Sequence, residues 1–262
     1  MKQHKSVLKI VTAVVEQYSA LDNKARTELL EKVIDASRGQ DIVLLPAGYF
    51  QFKDSPEYVY DYIVNKIKAF LKGNKNLVVV IGLDCEIKES QMAIAVNYKG
   101  IMAIGRKVSP TADEKGKIKS ADGFFNTEHG YNRIFKKKGK RLYLAVCYDV
   151  FGIKHQKVVN PNVDIVLGLV HDFYPLGKKG SGDVYFAKNV LAGCSKHWNV
   201  PVFGSVVYIR RVISKNFPTG VFWNQGNIST QFWRYDHNPI YYHKKVIVKS
   251  ETELAELRFY KL

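Results

Sequence analysis

Cys147 is the residue in this sequence best placed to do chemistry. It follows the apolar run 142–146 and precedes Tyr148-Asp149-Val150-Phe151-Gly152, which reads as a strand passing into a loop. Reactive groups gather at the C-terminal ends of strands in α/β folds. A thiol there becomes a nucleophile when a nearby cation or proton acceptor lowers its pKa; without one it is an inert core side chain. The other two cysteines, Cys85 and Cys194, read as core or helix-face thiols. Three cysteines argue against a disulfide framework, and none pairs with another at a metal-ligand spacing, so structural zinc is not expected.

The elements that position Cys147 alternate between β and α. Residues 7–15 read as a first strand. Residues 22–37 carry an apolar stripe at Leu29, Leu30, Val33 and Ile34, with Gly39 where a helix exit belongs. Residues 41–45 form a short buried strand stopped by Pro46. Ser55-Pro56 opens a second helix with the stripe Val59, Ile63, Ile67 and Phe70, ended by Gly73. Residues 77–81 are another apolar strand, and 92–97 and 101–104 flank a hairpin at Tyr98-Lys99-Gly100. After a polar stretch, 109–126, come strands at 142–146 and 163–170. A helix with Phe186, Val190, Cys194 and Trp198 on one face follows, then a strand at 201–208. Strands buried on both faces and joined by helices imply a sheet covered by helices. No linker or repeat divides the chain, which predicts one domain over 1–262.

Composition narrows the function classes. The chain is 46% hydrophobic and 24% charged, and it contains no apolar run long enough to span a membrane. Lys9 interrupts the apolar start, so that segment reads as a strand rather than a leader, and a cytoplasmic location is expected. The net charge is +16, from 40 basic and 24 acidic residues. Such a surface attracts polyanions, but no recognised nucleic-acid-binding motif accompanies it. The densest basic cluster, Lys136-Lys137-Lys138-Gly139-Lys140-Arg141, looks like a hairpin turn. The aromatic-rich tail (Phe222, Trp223, Phe232, Trp233, Tyr235, Tyr241, Tyr242) fits strand packing or an interface better than base stacking.

Four segments in order resemble the nitrilase (carbon–nitrogen hydrolase) superfamily: Asp41 to Pro46, Gly100 to Lys107, Leu144 to Asp149, and Val184 to Tyr208 with Asn199-Val200-Pro201-Val202. The resemblance covers nearly the whole chain. It implies an α/β fold, a four-layer αββα sandwich that pairs into homodimers, and hydrolysis of a small-molecule amide or related C–N substrate without a cofactor or metal. By position it makes Cys147 the nucleophile and Lys107 the cation beside it, an ammonium that steadies both a thiolate and a developing oxyanion. It also points the Tyr148 N–H at that oxyanion and places His171 on the substrate-pocket wall.

One departure stands out. The family's general-base glutamate follows the proline after the second strand, and here that residue is Ala47, which cannot move a proton. A second family glutamate aligns near Ser120 or Ala121, again not acidic. Glu128, in the polar turn 126–130, is the nearest carboxylate before Cys147. A Cys147–His171 dyad is another way to supply the missing base. The sequence thus predicts a C–N hydrolase that lacks the usual general base, with a non-catalytic ligand- or partner-binding protein and a polyanion-binding protein as alternatives.

Overall fold

Every buried strand needs both faces covered, and the way this chain covers them follows from a division at its first strand. The computed structural model describes residues 7–86, 90–179, 181–215, 217–222 and 239–262. Trp223, Phe232, Trp233 and Tyr235 of the aromatic tail lie outside these. Strand β1 (Lys9–Gln17) pairs along its whole length with antiparallel β13 (Glu253–Lys261). Its other partners share its length: β2 (Ile42–Leu44) runs parallel to residues 10–12, and β10 (Val202–Ile209) to residues 14–17.

Two limbs leave β1 at this point. One continues from β2 through β4 (Val78–Cys85) and β5 (Ser90–Asn97) to β6 (Gly100–Arg106). The other continues from β10 through β9 (Ile165–Phe173) and β8 (Lys140–Val146) to β7 (Ile134–Lys137). β5 and β6 pack on β8, so the limbs lie face to face.

Three apolar clusters record the layers. Between the limbs lie Leu44, Val80, Ala93 and Ala95 from one side and Leu144, Val146, Leu167 and Leu169 from the other. Outside the first limb, α1 (Asn23–Ala36) and α2 (Pro56–Phe70) bury Leu30, Val33, Ile63 and Ile67. Outside the second, α3 (Asp149–His155), α4 (Asp183–Phe186), α5 (Ala192–Trp198) and the turn joining the last two bury Ile153, Leu191 and Cys194. The order is helix, sheet, sheet, helix, the four-layer αββα sandwich. No helix among the described residues is long and apolar enough to cross a membrane.

Local signals place the helices well. The Asp22 side chain accepts hydrogen bonds from the N–H groups of Lys24 and Ala25, capping α1, and Gly39 takes φ +74° just beyond its end. Pro56 starts α2. The apolar face at 186, 190, 194 and 198 has a strict four-residue spacing, wider than the α-helical 3.6. A π-turn, Ala187–Leu191, joins α4 to α5 and takes up that difference. The short strand β3 (Phe50–Phe52) beside β4 and the forking of β1 have no counterpart in the sequence pattern.

Candidate active site

Cys147 sits between β8 and α3 with φ +48°, in the left-handed region. A non-glycine residue pays about 1–3 kcal/mol to stay there, so the surroundings must hold it. They do. The Cys147 N–H donates to the Leu169 carbonyl at 2.6 Å, and the Val150 N–H donates to the Cys147 carbonyl at 3.3 Å. Buried Asp149 secures the turn from below. Its carboxylate accepts the N–H groups of Val146, Val108 and Ser109 at 3.2, 2.7 and 2.8 Å, and the Arg133 guanidinium at 3.2 Å. One carboxylate thereby ties the end of β8 to the chain that leaves β6, the chain carrying Lys107.

Lys107 is fully buried. Its Nζ donates to Gln91 Oε1 at 2.8 Å and to the two Glu114 carboxylate oxygens at 2.7 and 2.6 Å. Three acceptors occupy the ammonium's three donors, so Lys107 acts on Cys147 through its charge rather than through a spare N–H. Glu114 also accepts from the Thr111 N–H at 2.7 Å and from Gln91 Nε2 at 3.0 Å. Burial pushes its carboxyl up, but the hydrogen bonds and charge of Lys107, helped by Thr111, bring it down to about 2. Sequence reasoning missed Glu114. The aligned position does come close, since the Ala121 N–H donates to the Lys107 carbonyl at 2.9 Å, but only by main chain. The hint in the sequence was a carboxylate within one turn of Thr111 in a stretch otherwise read as polar loop.

On the other side of Cys147 stands His171. Its ring and its main-chain N–H are both near enough to act on the Cys147 sulfur, and its Nε2 lies 3.3 Å from Asp84 Oδ1. A bulge lies beside it. Opposite β10, Leu169 pairs with Ser205 and Asp172 with Val207, so β9 holds one residue more than its partner over this span. Leu167, Leu169 and His171 keep to the face between the limbs, and the extra residue returns Phe173 to the helix side with Val170. Asp84 arrives from the opposite limb, on the inner face of β4 with Val78 and Val80.

Charge settles in a definite way on these groups. Burial pushes the Cys147 thiol up, but the Lys107 ammonium and then His171 outweigh it and hold the thiol below its ordinary value. Burial pushes His171 down, but Asp84 and Cys147 outweigh that and raise it well above the usual imidazole range. Both shifts run the same way, favouring a thiolate facing an imidazolium over the neutral pair. Cys194 is the contrast: burial alone acts on it and drives its thiol far up.

Ala47 is buried at the crossing of the two limbs, its N–H donating to the Val170 carbonyl at 3.1 Å. Gly48 follows with φ +56°, and a Cβ on it would stand 3.0 Å from Asp84 Oδ2 and 3.1 Å from His171 Cδ2. Ala47, Gly48 and His171 line one cleft of about 230 Å³, with Gln17, Gln51 and Asp172 among its polar walls. Arg26 reaches the same cleft, but its guanidinium is spent on Glu253, Gln17 and the Tyr49 carbonyl.

The remaining candidates fall elsewhere. Glu128 is bound to Arg106, with His129 3.1 Å away. Tyr148 stacks its ring toward Phe151, 4.8 Å between centroids, at the entry to α3. Cys85 and Cys194 are buried in the cores of opposite limbs. The basic cluster is the β7–β8 hairpin turn, and several of its charges are held locally: Lys138 meets Asp41 at 2.7 Å, Lys140 meets Asp164 at 3.5 Å, and Lys137 donates to the Asn76 carbonyl. Among the described residues, no group of three or more His, Cys, Asp and Glu side chains is arranged to hold a metal ion.

No family model matches the sequence, and no curated protein matches it by sequence. Solved structures do match by shape. A glutamate-to-glutamine mutant of the amidase from Nesterenkonia sp. AN1 superimposes with a TM-score of 0.64 at 12% identity, covering 99% of this chain and 92% of that one. In that structure the acetamide moiety of fluoroacetamide is added covalently at the active-site cysteine. A cysteine-to-alanine mutant of the same nitrilase-superfamily amidase gives 0.57 at 13% identity over 78% of each chain. The glutamine-dependent NAD+ synthetase from Acinetobacter baumannii gives 0.55 at 17% identity, over 77% of this chain and 39% of that one. The chain has the fold of the nitrilase-superfamily amidases.

Proposed function

We propose that this protein hydrolyses the C–N bond of a small amide through a thioester on Cys147. The observation that carries the reading is the thiol itself, set in a strained strand-to-helix turn and held below its ordinary pKa by Lys107 and His171. A thiolate poised in this way attacks a carbonyl carbon without first giving up a proton. The buried Lys107 charge favours the oxyanion that forms, an effect worth a few kcal/mol in a site without water. The Tyr148 N–H, which the family resemblance aims at the same oxygen, is the direct donor. Collapse of that intermediate expels the amine, and water then releases the acid and restores the thiolate.

The cleft of about 230 Å³ that His171 lines does not count Cys147 among its walls, so it offers room beside the imidazole rather than a measure of the substrate. The Arg26 charge is already paired with buried Glu253, which argues against an anionic group being gripped there. A homodimer in the cytoplasm belongs to the same reading, and molar mass in solution checks the dimer. Ala47 favours a second reading, a ligand-binding protein of this fold that does not turn over.

Incubation with fluoroacetamide, followed by mass spectrometry, separates the two. Cys147 should gain a single acetamide faster than a free thiol does, and Cys147→Ala should gain none. Labelling no faster than a free thiol, together with unchanged amide hydrolysis in Cys147→Ala, sinks the hydrolase reading.

A further inference from the structure

Hydrolysis through a thioester needs two proton transfers that a thiolate and an ammonium do not provide. The departing nitrogen must receive a proton, and the water that cleaves the thioester must lose one. Ala47 supplies neither. We propose that His171, on the inner face of β9 and oriented by Asp84, is the proton-transfer residue for Cys147 in place of the carboxylate missing at position 47. The proposal rests on the hydrolase reading above and deepens it.

The geometry is that of a nucleophile, a base and an orienting group drawn from three strands. His171 acts on the sulfur and faces Asp84 at 3.3 Å, while Asp84 comes from the other limb. Position 47 and this pair meet in one place: Ala47 and His171 line the same cleft, and the bare Cα of Gly48 is what admits Asp84 and the imidazole. The titratable and charged groups around the ring are few. Asp84 faces it from β4 and Cys147 from the end of β8. Lys107, paired with Glu114, acts on the sulfur through its charge. Asp172 follows it on β9, and Arg26 in the cleft is paired with Glu253.

The steps balance. The thiolate forms a C–S bond with the amide carbon, the C–N bond breaks, and the imidazolium gives its proton to the leaving nitrogen. Neutral His171 then takes a proton from water as the new C–O bond forms. The C–S bond breaks, and the thiolate and imidazolium return together with free acid and amine.

Two measurements on the full chain test this. The first is the rate of Cys147 alkylation by iodoacetamide as a function of pH, read by mass spectrometry. The wild-type rate should already be high at about pH 6.5, whereas in His171→Gln it should fall at least about ten-fold there and rise only toward the ordinary thiol value of about 8.5. Asp84→Asn should move the profile the same way by less, and it decides the matter if His171→Gln does not fold. The second is hydrolysis of p-nitrophenyl acetate, whose leaving group needs no proton. His171→Gln should retain the initial burst but slow the following release of acetate by about 10²–10⁴-fold. An alkylation profile and a deacylation rate both unchanged in His171→Gln overturn the proposal while leaving Cys147 as nucleophile. A wild-type Cys147 no more reactive than a free thiol overturns instead the hydrolase reading beneath it.

Discussion

The two flanks of Cys147 are built from similar parts and behave differently. On one side an ammonium and a carboxylate, Lys107 and Glu114, neutralise each other in a closed arrangement of three hydrogen bonds with Gln91. On the other, an imidazole and a carboxylate, His171 and Asp84, meet at a looser 3.3 Å and remain partly exposed to the cleft. The first flank is a closed ion pair whose ammonium acts on the sulfur by charge alone. The second holds a group that titrates and acts on the sulfur. The fixed charge and the titrating group that bear on the sulfur thus come from different limbs of the sheet.

The largest expected effect is on the residue both flanks share. Cys147→Ala should reduce amide hydrolysis to background with the fold intact by circular dichroism; retained turnover would make both flanks irrelevant to catalysis. Next in size, Asp149→Asn should cost about 3–5 kcal/mol in urea unfolding, because it leaves the Arg133 guanidinium buried without its charge partner. It should also disturb both flanks at once, since Asp149 ties their loops together.

Glu114→Gln sharpens the contrast. It should lower stability by about 2 kcal/mol, less than a wholly buried pair, because the Glu114 side chain is 22% exposed. Its sign with pH is definite. The folded carboxyl titrates at about 2 against an ordinary 4.5, so its stabilisation is complete above pH 4.5 and lost as pH falls toward 2. Thermal melts of wild type and Glu114→Gln should therefore differ above pH 4.5 and converge near pH 2; a constant gap would show that Glu114 acts by packing alone. The smallest effect belongs to Cys194→Ala. It should leave iodoacetamide labelling unchanged and cost about 1 kcal/mol, as a buried thiol touched by no cation is only filler.

Much of this arrangement was legible before any coordinates. The strand ending at Cys147, the hairpin before Lys107 and the helix caps at Asp22 and Pro56 all rest on local signals, and local signals survive folding. The partners of the site did not announce themselves because they come together only through pairing. Asp84 lies in an apolar strand with its own alternation, and nothing nearby in sequence links it to His171, 87 residues away. The bulge beside His171 depends on a partner strand, since a single extra residue in β9 has no mark of its own. Glu114 was hidden for a simpler reason: in a polar stretch every carboxylate looks solvated until a buried ammonium is found against it.

The fork at β1 has a consequence for how such a site can fail. Lys107, Glu114 and Asp84 belong to one limb and Cys147 and His171 to the other, so the distance between acid and imidazole is set by the thickness of the filling between the limbs. Small side chains at Ala93, Ala95 and Ala103 keep that filling thin. The hydrophobic spacer is in effect a shim: a methyl group added there, touching no reacting atom, would pry the two halves of the proton path apart.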